Sequence, residues 1–353
     1  MRSAYKSLLD LAKKTHTESA TSRVMVYRSL MNCGAMDWLS PSLPFLAALQ
    51  KLNFLLAPAK FLSFLGNEEF FLLLLPFVYW AVDRKTGARL GALLLFSAAL
   101  NDIIKVAFAW PRPYWLQPSL QRATEASFGF PSGHAQNAAV VWTFLAAQTR
   151  RPRVWIPLAL LLIAAIAASR FVLGVHFPLD AIGGALIGFA ILGLCARNEA
   201  RWMEFWHEIK IYQKIGIAAL LVLALSALYF MAIFSGLAGY QADQNGPSMP
   251  AVQSAMNGTG ISSRLGALFG LIVGLSLASR LDFEAAAPLA TKAARLLIGF
   301  VGLALFYVGL KRVFPDLLVF RFARYALTTG WVSFGAPWVF GKLGLARIRT
   351  KAM

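Results

Sequence analysis

The chain has 353 residues, 58% of them hydrophobic and only 14% charged, with a mean hydropathy of +0.60. Those values exclude a soluble globular domain, and Ala/Leu/Ile-rich runs that do not alternate exclude a closed barrel, leaving helices to satisfy the backbone in lipid. The formal charge of +18 would suggest nucleic acid in a soluble protein, but here Lys and Arg collect in loops between apolar runs, where headgroups and insertion bias account for them, so no nucleic-acid partner is expected.

Residues 1–41 are polar and basic, with leucines near helical spacing; they read as an amphipathic segment on the cytosolic membrane surface or as a disordered basic tail. No cleavable signal peptide is visible, so the first span is expected to serve as an uncleaved signal. Leu43 to Leu65 is the weakest candidate span, interrupted by Gln50, Lys51, Asn53, Pro58 and Lys60, and reads as interfacial or re-entrant. Glu69 to Val82 is cleaner, with Asn67 as helix cap and Glu68 and Glu69 complementing the dipole. Leu90 to Phe108 is the next span and carries Asn101, Asp102 and Lys105 near its far end, where ionisable groups need a reason. A loop rich in Pro, aromatics and Arg follows over 109–133. Ser132-Gly133-His134 then opens a helix to about Ala147.

Val154 to Ser169 and Leu179 to Leu194 flank the stretch Ser169–Asp180, where Pro178 suits the first turn of a helix. Arg197 to Lys210 reads as a charged connector with Trp202, Phe205 and Trp206 as interfacial anchors. Ile215 to Phe234 is the cleanest span. The polar loop Gly236–Ser263 is a lid candidate and contains Asn257-Gly258-Thr259, a weak glycosylation pattern. Further spans are expected at Leu265–Ala278, Leu296–Leu310 and Tyr325–Phe340. Gly266, Gly270 and Gly274 share one helix face, open either to packing within the chain or to a homodimer contact. Cys33 and Cys195 are too few for a disulfide framework and read as free thiols.

Arg84, Lys85 and Arg89, then Arg150, Arg151 and Arg153, then Arg197, Arg201 and Lys210, and finally Arg347, Arg349 and Lys351 fall on one side, which the positive-inside bias makes cytosolic. The loops 109–133 and 170–178 then face the periplasm or a lumen. Lys311, Arg312, Arg321 and Arg324 resist this count, because they fall on the outer side.

Three segments meet at that outer face. Lys105 and Arg112 close a span, where a lysine point charge and a guanidinium fork suit one small dianion. Ser132 and Gly133 stand at a helix start, whose free N–H groups and dipole make an anion site. Arg170, His176 and Asp180 bracket the turn before Pro178, where Asp180 can accept one imidazole proton and leave the other nitrogen free to attack. Each alone has a bland reading as a snorkelling cation, an N-cap or a satisfied polar group. Together, such groups at the ends of apolar helices are costly unless an anion or a wet cleft receives them. Asp102 either orients Lys105 or is merely its helix neighbour.

In order, the chain shows a lysine with six residues before Arg-Pro (Lys105, Arg112, Pro113), then Pro131-Ser132-Gly133-His134, then Ser169-Arg170 with His176 and Asp180. This triple pattern resembles the type 2 phosphatidic acid phosphatases, which share their site with vanadium haloperoxidases. The resemblance covers about residues 65–195. Leu65–Phe71 with Pro76-Phe77 and Trp80 is also similar to the sphingosine phosphate phosphatase branch, although Gly133 stands where that branch is expected to carry threonine. The resemblance implies His176 as nucleophile, His134 as general acid and base, and Asp180 holding His176. Lys105, Arg112, Ser132, Gly133 and Arg170 would bind the phosphate oxygens, with no metal and no cofactor, and vanadate would inhibit.

The expected fold is an all-α polytopic bundle, a six-helix phosphatase core at 42–196 with three to four further spans at 197–353, following the 1–41 segment. The expected activity is hydrolysis of a lipid phosphate monoester or diphosphate, with phosphoryl transfer to another hydroxyl, or lipid phosphate binding without turnover, as alternatives. Phosphate release in plain buffer separates the first two. Intact His176 and His134 argue against the third, since binding alone needs only the cations.

Overall fold

A computed structural model describes residues 39–234, 249–282 and 287–348. The basic segment before Leu39, Cys33, residues 236–248 of the lid-candidate loop and the terminal Arg349 and Lys351 lie outside the described residues. The rest is all-α except for one two-residue antiparallel pairing, Leu281–Asp282 with Arg347–Ile348.

Helices α1 (Ser42–Gln50) and α2 (Leu56–Phe64) are joined through a short turn and bent by 86° into a broken or re-entrant pair. This explains why the sequence there is polar in its middle. Gln50 is buried at the bend, and its amide donates to the carbonyls of Leu120 (2.8 Å) and Val172 (3.0 Å), pinning the later loop to the end of another helix. Helix α3 (Glu68–Phe77) runs into a π-helical turn, Val78–Val82. Asp83 caps α4 (Arg84–Phe108), its carboxylate accepting the Thr86 N–H at 2.6 Å. α4 stops where Ala109 takes a left-handed conformation (φ 50°), ahead of Pro111 and Pro113, which cannot continue a helix.

Helices α5 (Gly133–Ala147), α6 (Pro152–Val172) and α7 (Pro178–Glu208) complete the first half. Pro178 takes the first position of α7, as its sequence context predicts. Between α6 and α7 the turn needs Gly174. Its φ is +71°, and a Cβ there would collide with the carbonyl oxygen of Leu120. Arg197–Lys210 is not the connector its charge suggested. α7 continues to Glu208, carrying the Arg89–Glu199 ion pair at 2.9 Å, because charges extending past the bilayer do not oppose helix formation.

The second half begins with α8 (Ile211–Phe234) and continues with α9 (Thr259–Leu277) and α10 (Leu289–Ala304). It ends with α11 (Leu318–Gly330), a π-helical turn over Trp331–Gly335, and α12 (Ala336–Lys342). Among the described residues six helices are long and apolar enough to cross a membrane, seven if the bent α1–α2 pair is one span. The protein is an integral membrane protein.

A Cβ at Gly266, Gly270 or Gly274 would strike Phe322, Ala326 or Ser333, so this face of α9 is already covered by α11 and the turn after it. The homodimer contact through these glycines is thereby corrected to packing within the chain. Arg321 and Arg324, which resisted the charge count, turn toward protein. Arg321 Nε donates to the Thr259 carbonyl (3.1 Å) and to Ser263 Oγ (2.8 Å), and Arg324 is buried beside the Tyr325 ring.

The two halves join around a second apolar cluster. The π-helical geometry of 331–335 shifts the hydrogen-bond ladder, and two of its carbonyls are taken from across the interface. Tyr79 OH donates to the Ser333 carbonyl (3.0 Å) and Trp80 Nε1 to that of Val332 (2.9 Å). Trp80 is fully buried, edge-on to Phe300 and Phe340.

Candidate active site

Helix ends gather the site. Lys105 lies in the last turn of α4, Arg112 just beyond its break, Gly133 and His134 at the start of α5, Arg170 in the last turn of α6, and His176 and Asp180 around the start of α7. All eight residues singled out by sequence come to this one end of the bundle. Lys105, Arg112, Gly133, His134 and His176 line a cavity of about 390 Å³; Ser132, Arg170 and Asp180 are buried behind its wall.

His176 is 1% exposed, which limits its ring to the partners it already has. Arg112 Nη1 lies 3.3 Å from its Nε2. A guanidinium can only donate, so Nε2 is the acceptor and the ring proton sits on Nδ1. From there it is donated to Asp180 Oδ2 at 3.2 Å. The same carboxylate oxygen accepts the Phe177 N–H at 2.8 Å, which fixes Asp180 in the first turn of α7. Burial, and then the Arg112 charge, push the His176 pKa well below its ordinary value. The ring is neutral, with its unprotonated nitrogen turned to the cations.

Arg112 is held on every side by backbone and hydroxyl acceptors: Ser127 O (2.5 Å), Ser127 Oγ (3.0 Å), Phe128 O (3.1 Å) and Val175 O (2.8 Å). Lys105 Nζ donates to the Phe128 carbonyl at 2.6 Å. Asp102 does not orient it; that carboxylate pairs with Arg264 of α9 at 3.0 Å, and Glu68 pairs with the same guanidinium at 2.6 Å. Arg170 reaches Ser63 through Nη1 and Glu125 through Nη2, and its Nε has no partner among the described residues. Ser132 is the N-cap of α5, accepting the Ala135 N–H at 3.4 Å. Gly133 leaves room for the Asn101 amide, which would lie 3.1 Å from a Cβ there.

Sequence reasoning missed several residues. Asn67 does not cap α3 with its side chain; its Oδ1 lies 2.6 Å from His134 Nε2, so Nε2 carries the proton. Its place directly before a helix concealed this use. Glu125 sits on the wall beside Arg112 and Arg170. Burial alone would raise its pKa, but the two guanidiniums hold it at about 2. An acid in a Pro- and Arg-rich loop was the available signal. Arg264, the lone cation in the apolar run of α9, was another. The described part of the lid-candidate loop is not a loop but mostly helical, Met249–Met256 and then the start of α9. Residues 254, 255 and 257–261 line the cavity, and Asn257 Oδ1 accepts the Thr259 N–H and hydroxyl. Residues 235–248 lie outside the described residues.

The PAP2 superfamily model matches residues 86–204, and the model for the PAP2 superfamily phosphatase transmembrane extension matches residues 262–348. Together they take in more than half of the chain. The chain belongs to the PAP2 superfamily. Among curated PAP2-like relatives, sphingosine-1-phosphate phosphatase 2 of Mus musculus is 29% identical over 141 residues, 38% of this chain and 40% of that protein. Lipid phosphate phosphatase delta of Arabidopsis thaliana is 27% identical over 187 residues, 48% of this chain and 44% of that one. The chain thus spans less than half the length of these relatives. A solved PAP2-type phosphatidylglycerolphosphate phosphatase from Bacillus subtilis is 22% identical, with a TM-score of 0.42 over 52% of this chain and 96% of that one.

Proposed function

We propose that this PAP2 protein is a phosphoric ester hydrolase that removes phosphate from a membrane lipid monoester or diphosphate through a phosphohistidine on His176. The observation that carries the reading is the tautomer. With Asp180 holding Nδ1–H, the lone pair is on Nε2 and turned to Arg112, so a phosphate that draws the guanidinium to its own oxygens would meet that nitrogen.

His176 Nε2 attacks phosphorus, the N–P bond forms, and the bond to the leaving oxygen breaks. Asp180 stabilises the imidazolium that results, as the orienting member of a nucleophile pair does. Since Asn67 Oδ1 holds the Nε2 proton of His134, the proton for the leaving alkoxide comes from Nδ1 of the imidazolium, which leaves His134 neutral. His134 then takes a proton from the water that cleaves the N–P bond and returns His176. Lys105, Arg112, Arg170 and the N–H groups at the start of α5 hold the equatorial oxygens as charge spreads in the transition state. Arg170 has a buried N–H to spare for this. Every step is assigned to side chains of the chain itself.

We further infer a phosphatase core over 42–196 walled by the segment 197–353, with the site facing the periplasm or a lumen. The basic groups Arg84–Arg89, Arg150–Arg153 and Arg197–Lys210 lie at the helix ends remote from the cavity, which supports that orientation.

The test is phosphate release by the detergent-purified full chain in EDTA, against phosphatidic acid, sphingosine phosphate, phosphatidylglycerophosphate and undecaprenyl diphosphate. Release that disappears in His176→Ala is expected. Binding of these lipids without release, unchanged in His176→Ala, would overturn the hydrolase reading.

A further inference from the structure

A second cavity of about 140 Å³ adjoins the catalytic one. It lies between the two halves of the chain, with Leu75, Gly91 and Leu94 of the first facing Ala267, Leu271 and Val332 of the second. The two cavities share Glu68, Glu69, Ala98, Asn137 and Arg264, so they meet along these residues. At the junction the lining changes character. Above it are the cations, His134 and His176; below it the wall is mostly apolar, with hydroxyls only from Tyr79, Ser263, Tyr307, Tyr325, Thr328 and Thr329.

Its length is set by α4. Ala98 and Gly87 both line it, and at ~1.5 Å per residue they are ~16 Å apart along the helix. That is about half of the ~30 Å hydrocarbon core, the depth of one leaflet. With Gly87 in the first turn of α4, the groove runs from beneath the site toward the end of the helix remote from it. The lower end is closed by Tyr79, whose hydroxyl is bound to the Ser333 carbonyl.

We propose that this groove seats the hydrocarbon chain of the substrate, one unbranched chain of the same lipid whose phosphate occupies the catalytic cavity. The proposal rests on the hydrolase reading and adds a place and a purpose for the C-terminal extension, which builds one wall of a substrate chain site. Continuity with the catalytic cavity argues for the substrate rather than a bystander lipid. Arg264 marks the boundary. Paired with Glu68 and Asp102, it brings no unpaired positive charge to the point where the headgroup ends and the chain begins. Gly91 and Ala267 are the residues that keep the groove open, since anything larger on either helix projects into it. A Cβ at Gly91 would already stand 3.2 Å from Leu271 Cδ2.

The experiment has two arms on the full chain in detergent. In the first, a long-chain alkylphosphonate carrying a diazirine midway along the chain is photolysed on the protein, and the labelled peptides are identified. Label on α9 around Ala267 and Leu271, competed by unlabelled long-chain alkyl phosphate, is expected. Label confined to lipid-facing residues such as Leu220 and Leu223 of α8 would overturn the proposal. In the second, Ala267→Leu fills the groove, and Gly91→Ala narrows it with less risk to folding. For Ala267→Leu the KM for a long-chain phosphate should rise about tenfold, the scale of a misfit methylene or two in an apolar pocket, with a smaller rise for Gly91→Ala. Turnover of a short, soluble phosphate monoester should stay within about twofold of wild type in both. An unchanged long-chain KM in both variants would refute the groove. Were wild type to release phosphate from neither substrate, the hydrolase reading would fail, and the labelling arm would still decide the groove.

Discussion

Two contacts on one ring decide what His176 can do. Arg112 can only donate and Asp180 can only accept when ionised, so between them they put the proton on Nδ1 and the lone pair on Nε2. The sequence made the Asp180 contact legible, because Pro178 sets the helix start and four residues separate the two side chains. It did not make the Arg112 contact legible, since that depends on the break of α4 at Ala109. Nor did it reveal Glu125, whose carboxylate shares the guanidiniums that a phosphate would use. Its acidity gives a pH prediction. The ordinary value of a glutamate is about 4.3, and the folded value is about 2. The unfolded chain therefore takes up this proton first as pH falls, so the stabilisation is complete above about 4.3 and is lost toward about 2. Thermal unfolding in detergent should show wild type losing stability across that window. Glu125→Gln should show a shallower loss there, and equal slopes would contradict the assignment.

At the scale of elements, the helix ends were the readable part. Ser132 and Pro178 start helices where the sequence placed them, whereas α4 and α6 begin earlier than the spans at Leu90 and Val154, at Arg84 and Pro152. Polar residues inside apolar segments were the unreadable part. Gln50 weakened the case for the first span because nothing local shows that it clamps Leu120 and Val172, which lie 70 and 122 residues away. Trp80 is a similar case. Its local context is an ordinary apolar helix, yet it fixes the extension by filling the space against Phe300 and Phe340 and bonding Val332. Truncating it should therefore loosen the join more than the site. Trp80→Ala should cost about 3–5 kcal/mol, read as a lower melting temperature in detergent, whereas Trp80→Phe should recover most of it. Turnover of a short, soluble phosphate ester at low temperature should persist in both. Loss of that turnover together with intact melting would contradict the account.

Across the whole molecule, one end of the bundle is chemical and the other is structural. The catalytic end gathers buried cations, two histidines and an aspartate at the tips of four helices, and the far end carries the basic loops and the Trp80 cluster. Motif order alone located the first half of this arrangement, because each motif sits at a helix end and the helices alternate in direction. The second half carries no chemical motif, and its glycine stripe fitted a dimer as well as an internal contact until α11 was seen to cover it. Its use as a wall of the chain groove follows from three-dimensional packing only. The central claim remains that phosphate passes through His176. The direct measurement is a quenched reaction of His134→Ala with p-nitrophenyl phosphate, whose leaving group needs no proton, followed by identification of the phosphorylated peptide. Without His134 to activate water, an acid-labile phosphohistidine should accumulate on His176 and be absent from the His134→Ala, His176→Ala double variant. Phosphate on another residue, or turnover that survives His176→Ala, would contradict the account.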